Sequence, residues 1–484
     1  MKKQVTVFKS LFPPESSELE AIRTKAWELS CPSMTLKKRP SSSPATFSGS
    51  GLIRISNNGE LTFRLFTSWQ RNIGDLRWDD KLKAGEIVPE DAFYDLVAID
   101  SQGRKWTASR FLPSLTRSAS GKIIAEGKLF GLTYAGRFPR EMQLGGSRLS
   151  YWFFGNIKIP CNTVTKVTKF VGHGRQESMS IELNVWKFRS CGFDFLLVKE
   201  SDDLMKVEAS TTRNRFPKYF EERVIESLHF LLGYPVPWSV MNVKTGRSVR
   251  TVVVGCRTVT VPSQSRLPLP TDLIIDNRTG KLTVAHHRRL FDRFLKHTLS
   301  YPKRRHPLWG KLNAVYEASA GTFIDAKALT LTVAIESLLE NEFSELGKPS
   351  KREQRDIRNA IAYMKEWNGP KRAKDRIGGS LSQLLRSRAL DKLRELATRG
   401  AISEDEWKAW QALRNPSTHL YQSPHDSTES FIHLIEKVEV LFYHLIFYAI
   451  GYKGLYMDIS LPDWPIRLYP LGKANASESS GSKH

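Results

Sequence analysis

The sequence has few cysteines and lacks the motifs that bind metals or nucleotides. Its four cysteines, at positions 31, 161, 191 and 256, include no CxxC pair, and no set of cysteines and histidines has the spacing of a zinc site. The glycine-rich loops that hold dinucleotides or nucleoside triphosphates are also absent. We therefore expect reduced cysteines, no metal ion, no cofactor and no NTPase or dinucleotide chemistry.

Long apolar segments are missing as well. The most apolar run, Val438–Tyr452, is shorter than the roughly 20 residues that cross a bilayer, and it contains His444. The basic N-terminus lacks the apolar stretch of a signal peptide. These absences predict a cytoplasmic protein with no membrane partner.

Acidic residues are too few to balance the basic ones. The chain has 50 aspartates and glutamates against 73 lysines and arginines, which leaves a formal net charge of +23. Such an excess favours a polyanionic partner, and Trp309 and Trp367 beside two basic clusters favour RNA, since aromatic rings stack on bases. The alternative is that these clusters are solvated loops. The candidate RNA-binding residues are Lys303, Arg304, Arg305, Lys371, Arg372, Lys374, Arg376, Arg213 and Arg215.

Apolar and polar residues alternate over a long N-terminal region. The stretch 51–66 alternates on both sides of Asn58-Gly59, which is a strong hairpin signal. This pattern predicts an antiparallel β-rich domain over 51–210, a sandwich or open barrel with a sensor or binding role. Residues 1–50 predict an N-terminal arm and a Pro/Ser-rich linker, with a loop over 31–51. Further strand-like runs lie at 92–99, 122–129, 149–154 and 178–188.

Helical periodicity dominates from 301 to 456 and predicts an all-α bundle. The last expected helix, from about 427, has a wide apolar face suited to a bundle core or to a dimer seam. Residues 211–300 predict a mixed α/β connector, and 457–484 a largely disordered tail. The chain therefore has the pattern of an α+β multidomain protein. The other expected helices cover 326–343, 352–367 and 381–399, and a fourth begins at a capping box formed by Ser403 and Glu406.

One short segment between the last two expected helices, Arg414–His419, combines an arginine with a histidine. The spacing alone is weak evidence, because composition supplies an arginine followed by a histidine at this distance about twice by chance. A second instance, Arg223 and His229, lies inside an uninterrupted amphipathic helix and is interpreted as structural. In the first instance Pro416 should bend or end the helix and bring Arg414 and His419 together.

The chemistry of this segment suits RNA cleavage without a metal. Attack by a ribose 2′-OH needs a proton carrier with a pKa near neutrality, which histidine supplies. A guanidinium group matches the charge that develops on the phosphoryl oxygens, and Asn415 can both donate and accept a hydrogen bond. The alternative reading is a polar helix end, in which the histidine caps carbonyls and the arginine meets a carboxylate.

The segment Arg414–His419, placed between the last two helices of a C-terminal bundle, resembles the R-x4–6-H motif of the HEPN superfamily of ribonucleases. This resemblance implies that Arg414, Asn415 and His419 are catalytic, that Glu336 supports them, and that two copies form a homodimer. A β-rich region followed by such a bundle resembles the ApeA-type anti-phage defence proteins. That layout implies abortive infection by cleavage of tRNA or other cellular RNA and a phage-derived trigger. It also implies an N-terminal domain that senses the infection or restrains the nuclease.

Three functions remain open at this point. The first is a metal-independent endoribonuclease that uses Arg414 and His419. The second is a non-catalytic HEPN protein that binds RNA or nucleotides. The third is a structural interaction protein whose last long helix dimerises the β domains. The presence of both motif residues favours the first.

Overall fold

The structure, a computed structural model, describes residues 14, 16–39, 44–71, 87–117, 122–137, 145–171, 175–259, 268–269, 284–321, 323–385, 387–417 and 428–471. The chain divides into two compact units. The β unit comprises Met1–Pro217 and Val236–Thr260, and the helical unit comprises Lys218–Pro235 and Val261–His484. The chain therefore passes between the units three times, whereas the sequence-based boundaries at 50, 210, 300 and 456 divided it consecutively.

The described part of the β unit contains one α-helix, α1 (Ser16–Arg23), and one large sheet in which the strands pair antiparallel. The strand order is β10-β11-β12-β13-β9-β14-β15-β8-β5-β4-β1-β2-β3-β7-β6. The strands are β1 (Glu28–Lys38), β2 (Thr46–Ile55), β3 (Leu61–Arg71), β4 (Tyr94–Ile99), β5 (Lys105–Phe111), β6 (Ser114–Arg117), β7 (Ile123–Lys128), β8 (Leu132–Arg137), β9 (Ser147–Phe154), β10 (Thr163–Val171), β11 (Arg175–Ser190), β12 (Phe193–Ser201), β13 (Leu204–Thr211), β14 (Val240–Thr245) and β15 (Ser248–Val253).

The half of this sheet that runs from β5 to β6 curves so strongly that its two end strands come close together. In a flat sheet six steps of about 4.8 Å would separate these two strands by roughly 29 Å. Only Leu112 and Pro113 connect them in the sequence, and this link spans at most about 11 Å. The ring of Phe63 on β3 accordingly lies 5.2 Å from the ring of Phe111 on β5. The predicted antiparallel β-rich region is thus confirmed, and this half of its sheet is strongly curved.

The hairpin predicted around Asn58-Gly59 is confirmed, but the loop predicted over 31–51 is wrong. Strands β2 and β3 pair with Ile55 opposite Leu61, and Gly59 has a φ of 85°. Most of the expected loop belongs to β1 and β2. A register shift between Cys31 and Met34 lets both residues face the core, so the alternation that indicates a strand is interrupted there.

Within the described residues the helical unit has nine helices and a small hairpin. No described helix combines the length and apolar character needed to span a bilayer. The elements are α2 (Phe220–Leu232), α3 (Val284–Leu299), α4 (Pro307–Ala320), α5 (Ile324–Glu342), α6 (Lys351–Glu366), α7 (Lys371–Leu384), α8 (Ala389–Thr398), α9 (Glu404–Ser417), α10 (Thr428–Ile450), β16 (Gly454–Met457) and β17 (Ile466–Tyr469).

The expected helices correspond to α5, α6, α9 and α10, but the one expected over 381–399 is wrong. Two helices, α7 and α8, occupy this region, and α7 begins ten residues earlier, at Lys371. Its adjacent glycines, Gly378 and Gly379, each lower helix propensity by about 1 kcal/mol and hide the helical pattern. The expected tail also begins too early, since β17 pairs with β16, while residues 472–484 lie outside the described part.

The apolar face of α10 forms the core of the helical unit. Fourteen of its 23 residues are buried, and α10 packs against α3, α5 and α9. Helix α2 contributes Phe230, whose ring stacks on Phe294 of α3 at 4.4 Å and lies 6.4 Å from Phe447 of α10. Of the two roles predicted for this face, the structure shows the intramolecular one.

Candidate active site

Helix α9 carries the first motif residue, and its start is the predicted capping box. The Ser403 amide donates to Glu406 Oε2 at 2.9 Å, and the Glu406 amide donates to Ser403 Oγ at 3.2 Å. One stripe of α9 anchors the helix, because Trp410 and Leu413 are buried. Arg414 follows directly and is exposed. The buried side of α9 therefore fixes the helix, and Arg414 projects from it into solvent.

Arg414 forms an ion pair with Glu336, the residue that the sequence analysis assigned a supporting role. Arg414 Nε lies 2.5 Å from Glu336 Oε1, and the side chains of Arg414 and Glu336 are 49% and 36% exposed. Because Glu336 is on α5, which packs against α9, two helices fix the position of the guanidinium group.

Trp410 is a further part of this site that the sequence analysis did not connect with Arg414. The guanidinium carbon of Arg414 lies 5.6 Å from the centroid of the Trp410 ring, within the range of a cation–π contact. The signal was present in the sequence, since residues four apart share a helix face. Trp410 and Glu336 together restrict the arginine while leaving it open to solvent.

The rest of the predicted motif is described only in part. Asn415 and Pro416 belong to α9, which extends to Ser417, but their side chains are outside the description. His419 lies within 418–427, which is also outside it. The predicted approach of His419 to Arg414 therefore stays a prediction. The segment is bounded by α9 on one side and by α10 on the other, and these two helices pack against each other.

The other arginine–histidine pair has the structural role expected of it. Arg223 and His229 are both buried within α2, which ends at Gly233 with a φ of 73°. Arg223 Nη1 donates to Glu226 Oε2 at 2.6 Å, and its Nη2 donates to the carbonyl oxygen of Lys303. These contacts satisfy the arginine inside the protein, so it has no free face for a substrate.

The nine candidate RNA-binding residues fall on both units. Arg213 and Arg215 are exposed in the β unit, after β13. Lys303, Arg304 and Arg305 are exposed between α3 and α4, where Arg304 Nε donates to Glu222 at 2.8 Å. The remaining four lie on the first turns of α7 rather than in a loop: Lys371, Arg372, Lys374 and Arg376.

Helices α6 and α7 form a hairpin that buries none of its residues. The two helices pack on each other, and neither has a residue classed as buried. Two aromatic residues at the end of α6 are available to a partner, since Tyr363 is 72% and Trp367 is 39% exposed. Trp309, the other predicted stacking residue, instead packs on His229 with ring centroids 4.6 Å apart. Of the basic clusters, α7 thus has the more accessible aromatic neighbours.

One turn beyond Glu336 on α5, Glu340 lines an open pocket of about 370 Å³. Three cations, Lys348, Arg358 and Lys392, also line it. Burial lowers the pKa of Lys392, which donates to the carbonyl oxygen of Leu339 at 3.0 Å. The excess of positive over negative groups suits an anion such as a phosphate.

The comparisons with known proteins add no relative to this description. No protein-family model, no curated protein and no solved structure matches the chain.

Proposed function

We propose that this protein is a metal-independent endoribonuclease of the HEPN type, whose catalytic residues are Arg414, Asn415 and His419. The observation that carries this proposal is the Arg414–Glu336 ion pair. The two residues are 78 positions apart, and the motif and its resemblance singled out both. Their contact is what a site requires if a guanidinium group must be held in one place for a phosphate.

In the proposed reaction the ribose 2′-oxygen attacks the adjacent phosphorus and the bond from phosphorus to the 5′-oxygen breaks. His419 accepts the proton of the 2′-hydroxyl group, and the leaving 5′-oxygen takes up a proton. Arg414 neutralises the charge on the phosphoryl oxygens, and Asn415 orients the phosphate. Glu336 and Trp410 position Arg414. These steps need the 2′-hydroxyl group, which DNA lacks.

The α6–α7 hairpin supports RNA as the substrate. Its cations lie beside exposed aromatic rings, and this combination binds the backbone and stacks the bases of single-stranded RNA. The cationic pocket beside Glu340 offers a place for a phosphate one turn of α5 away from Glu336. We propose tRNA or another cellular RNA as the substrate and an anti-phage role in abortive infection, with a phage-derived trigger and the β unit as sensor or restraint.

The proposal includes a homodimer in which two copies of the motif face each other. The apolar face of α10 is already buried inside the helical unit. A dimer must therefore use other surfaces, such as the exposed ends of α9 and α10 or the hairpin. This requirement argues against the third function considered above, in which the apolar face of the last helix joins two β domains.

The test is cleavage of total tRNA by purified full-length protein in the presence of EDTA, together with growth arrest when the protein is expressed. We expect His419→Ala and Arg414→Ala to lower the cleavage rate by about 100-fold or more. The matched control is His433→Ala, because His433 is exposed and pairs with Glu436 on α10. Undiminished cleavage by His419→Ala would contradict the proposal. RNA binding without cleavage by the wild type would favour the non-catalytic alternative.

A further inference from the structure

Three residues that the sequence analysis did not connect converge at one end of the helical unit. His297 lies in the last turn of α3, His306 is the N-cap of α4, and Glu342 is the last residue of α5. One potential metal-ligating atom from each lies within 4.8 Å of the other two. His297 Nε2 is 3.2 Å from Glu342 Oε2. Three separate elements thus present three ligand groups to one point.

The residue types match a transition-metal site. Two imidazoles and one carboxylate are a common ligand set for Zn²⁺, at about 2.0–2.2 Å from the ion. Tetrahedral ligands at that distance lie about 3.4 Å apart. The His297–Glu342 distance already meets this value, and the widest separation exceeds it by at most about 1.4 Å.

Burial and neighbouring charges shift the pKa of two members of the cluster. Burial is the main cause that lowers the pKa of His306, to about 4, so its ring is neutral near pH 7. Burial raises the pKa of Glu342, but the hydrogen bond from His297 and the nearby positive charges lower it further, and the net effect is a lowered pKa.

Two features oppose binding and limit its strength. A neutral imidazole has one lone pair, and His306 Nδ1 now accepts the Leu308 amide at 3.2 Å. A metal ion would have to take over that lone pair and release this cap. The cations of Arg223 and Lys311 also face the cluster. Both effects weaken the site relative to a closed four-ligand zinc site, but a metal–imidazole bond outweighs a long capping hydrogen bond.

We propose that His297, His306 and Glu342 bind one divalent transition-metal ion, with Zn²⁺ preferred, which ties the ends of α3, α4 and α5 together. This role is separate from the proposed cleavage chemistry. Glu342 lies six residues beyond Glu336 on the same helix, about 9 Å along its axis and about 240° around it. The ion would therefore act on the stability of the helical unit and not on the reacting phosphate.

The first experiment uses the full chain, stripped of metal with a chelator and then titrated with Zn²⁺ against a chromogenic chelator. We expect one ion per chain and a rise of several degrees in Tm on adding equimolar Zn²⁺. Glu342→Gln and His297→Ala should each weaken binding by at least tenfold and remove the rise in Tm. His433→Ala removes a comparable histidine–glutamate pair and should behave like the wild type.

Absence of micromolar Zn²⁺ binding by the wild type, or unchanged binding by both variants, would overturn the proposal. If the variants do not fold, the absorption spectrum of wild-type protein with equimolar Co²⁺ decides, because a tetrahedral site gives intense visible bands and their absence refutes the site. Neither readout depends on RNA cleavage. A protein that binds Zn²⁺ but does not cleave RNA would contradict the proposed function alone.

Discussion

Helix α10 and the α6–α7 hairpin belong to the same unit, and both are amphipathic, yet they differ completely in burial. Fourteen of the 23 residues of α10 are buried, whereas α6 and α7 bury none. An amphipathic pattern shows that a helix has an apolar face but not what covers it. In α10 the cover is intramolecular, so this helix supports the fold. The hairpin combines uncovered apolar side chains with cations and aromatic rings, so it is the region suited to a partner.

The largest expected effect comes from removing what covers α10. A fragment limited to 301–456 lacks α2 and α3, and with them Phe230 and Phe294, which are both fully buried. We expect this fragment to show no cooperative thermal unfolding by circular dichroism, in contrast to the full chain. A cooperative transition with native near-ultraviolet signals would show that α10 does not depend on these helices.

Single substitutions sharpen the same contrast. Phe447 on α10 is fully buried and its ring lies 4.9 Å from that of Tyr452, so Phe447→Ala should lower the free energy of unfolding by about 3–5 kcal/mol. Ile377 on α7 is 42% exposed, and Ile377→Ala should change it by less than about 0.5 kcal/mol. Denaturant unfolding measures both values. Similar decreases in the free energy of unfolding for the two variants would mean that other residues bury the apolar side of the hairpin.

The charge on α7 should affect RNA binding rather than stability. Replacing Lys371, Arg372, Lys374 and Arg376 with glutamate removes up to four phosphate contacts. The slope of log K against log salt for a single-stranded RNA should then fall by about 2–3, since each lost contact contributes about 0.7. Tm should remain nearly the same. The control with the same change in net charge replaces four exposed cations of the β unit, Arg54, Arg64, Lys128 and Arg189. Equal loss in the control would assign binding to net charge alone.

The Arg414–Glu336 pair should contribute little to stability. Both side chains are partly exposed, so Glu336→Gln should lower the free energy of unfolding by at most about 1 kcal/mol. Its RNA cleavage rate should nevertheless fall by about tenfold or more, because Arg414 loses its ion pair with Glu336 and is positioned less firmly. Asp325→Asn, at the exposed start of α5, is the matched control. An unchanged cleavage rate for Glu336→Gln would show that the Arg414–Glu336 ion pair has no role in cleavage.

Much of the architecture follows from local pattern. The hairpin at Asn58-Gly59 and the capping box of Ser403 and Glu406 are short-range signals, and both are confirmed. The errors arise where one local rule hides another. The bulge between Cys31 and Met34 interrupts the alternation expected of β1, and Gly378-Gly379 weakens the helical pattern of α7. For the site, the motif indicated Arg414, the resemblance indicated Glu336, and the four-residue spacing offered Trp410. The cluster of His297, His306 and Glu342 needed coordinates.

The sequence by itself determined the β-rich and helical regions, the basic character and the residues of the motif. These properties depend on composition and on periodicities that extend over a few residues. Only the tertiary structure decided that the chain passes between its two units three times, that the apolar face of α10 lies inside its own unit, and that Glu336 meets Arg414. Such facts depend on contacts between distant segments, and local periodicity does not encode which segments meet.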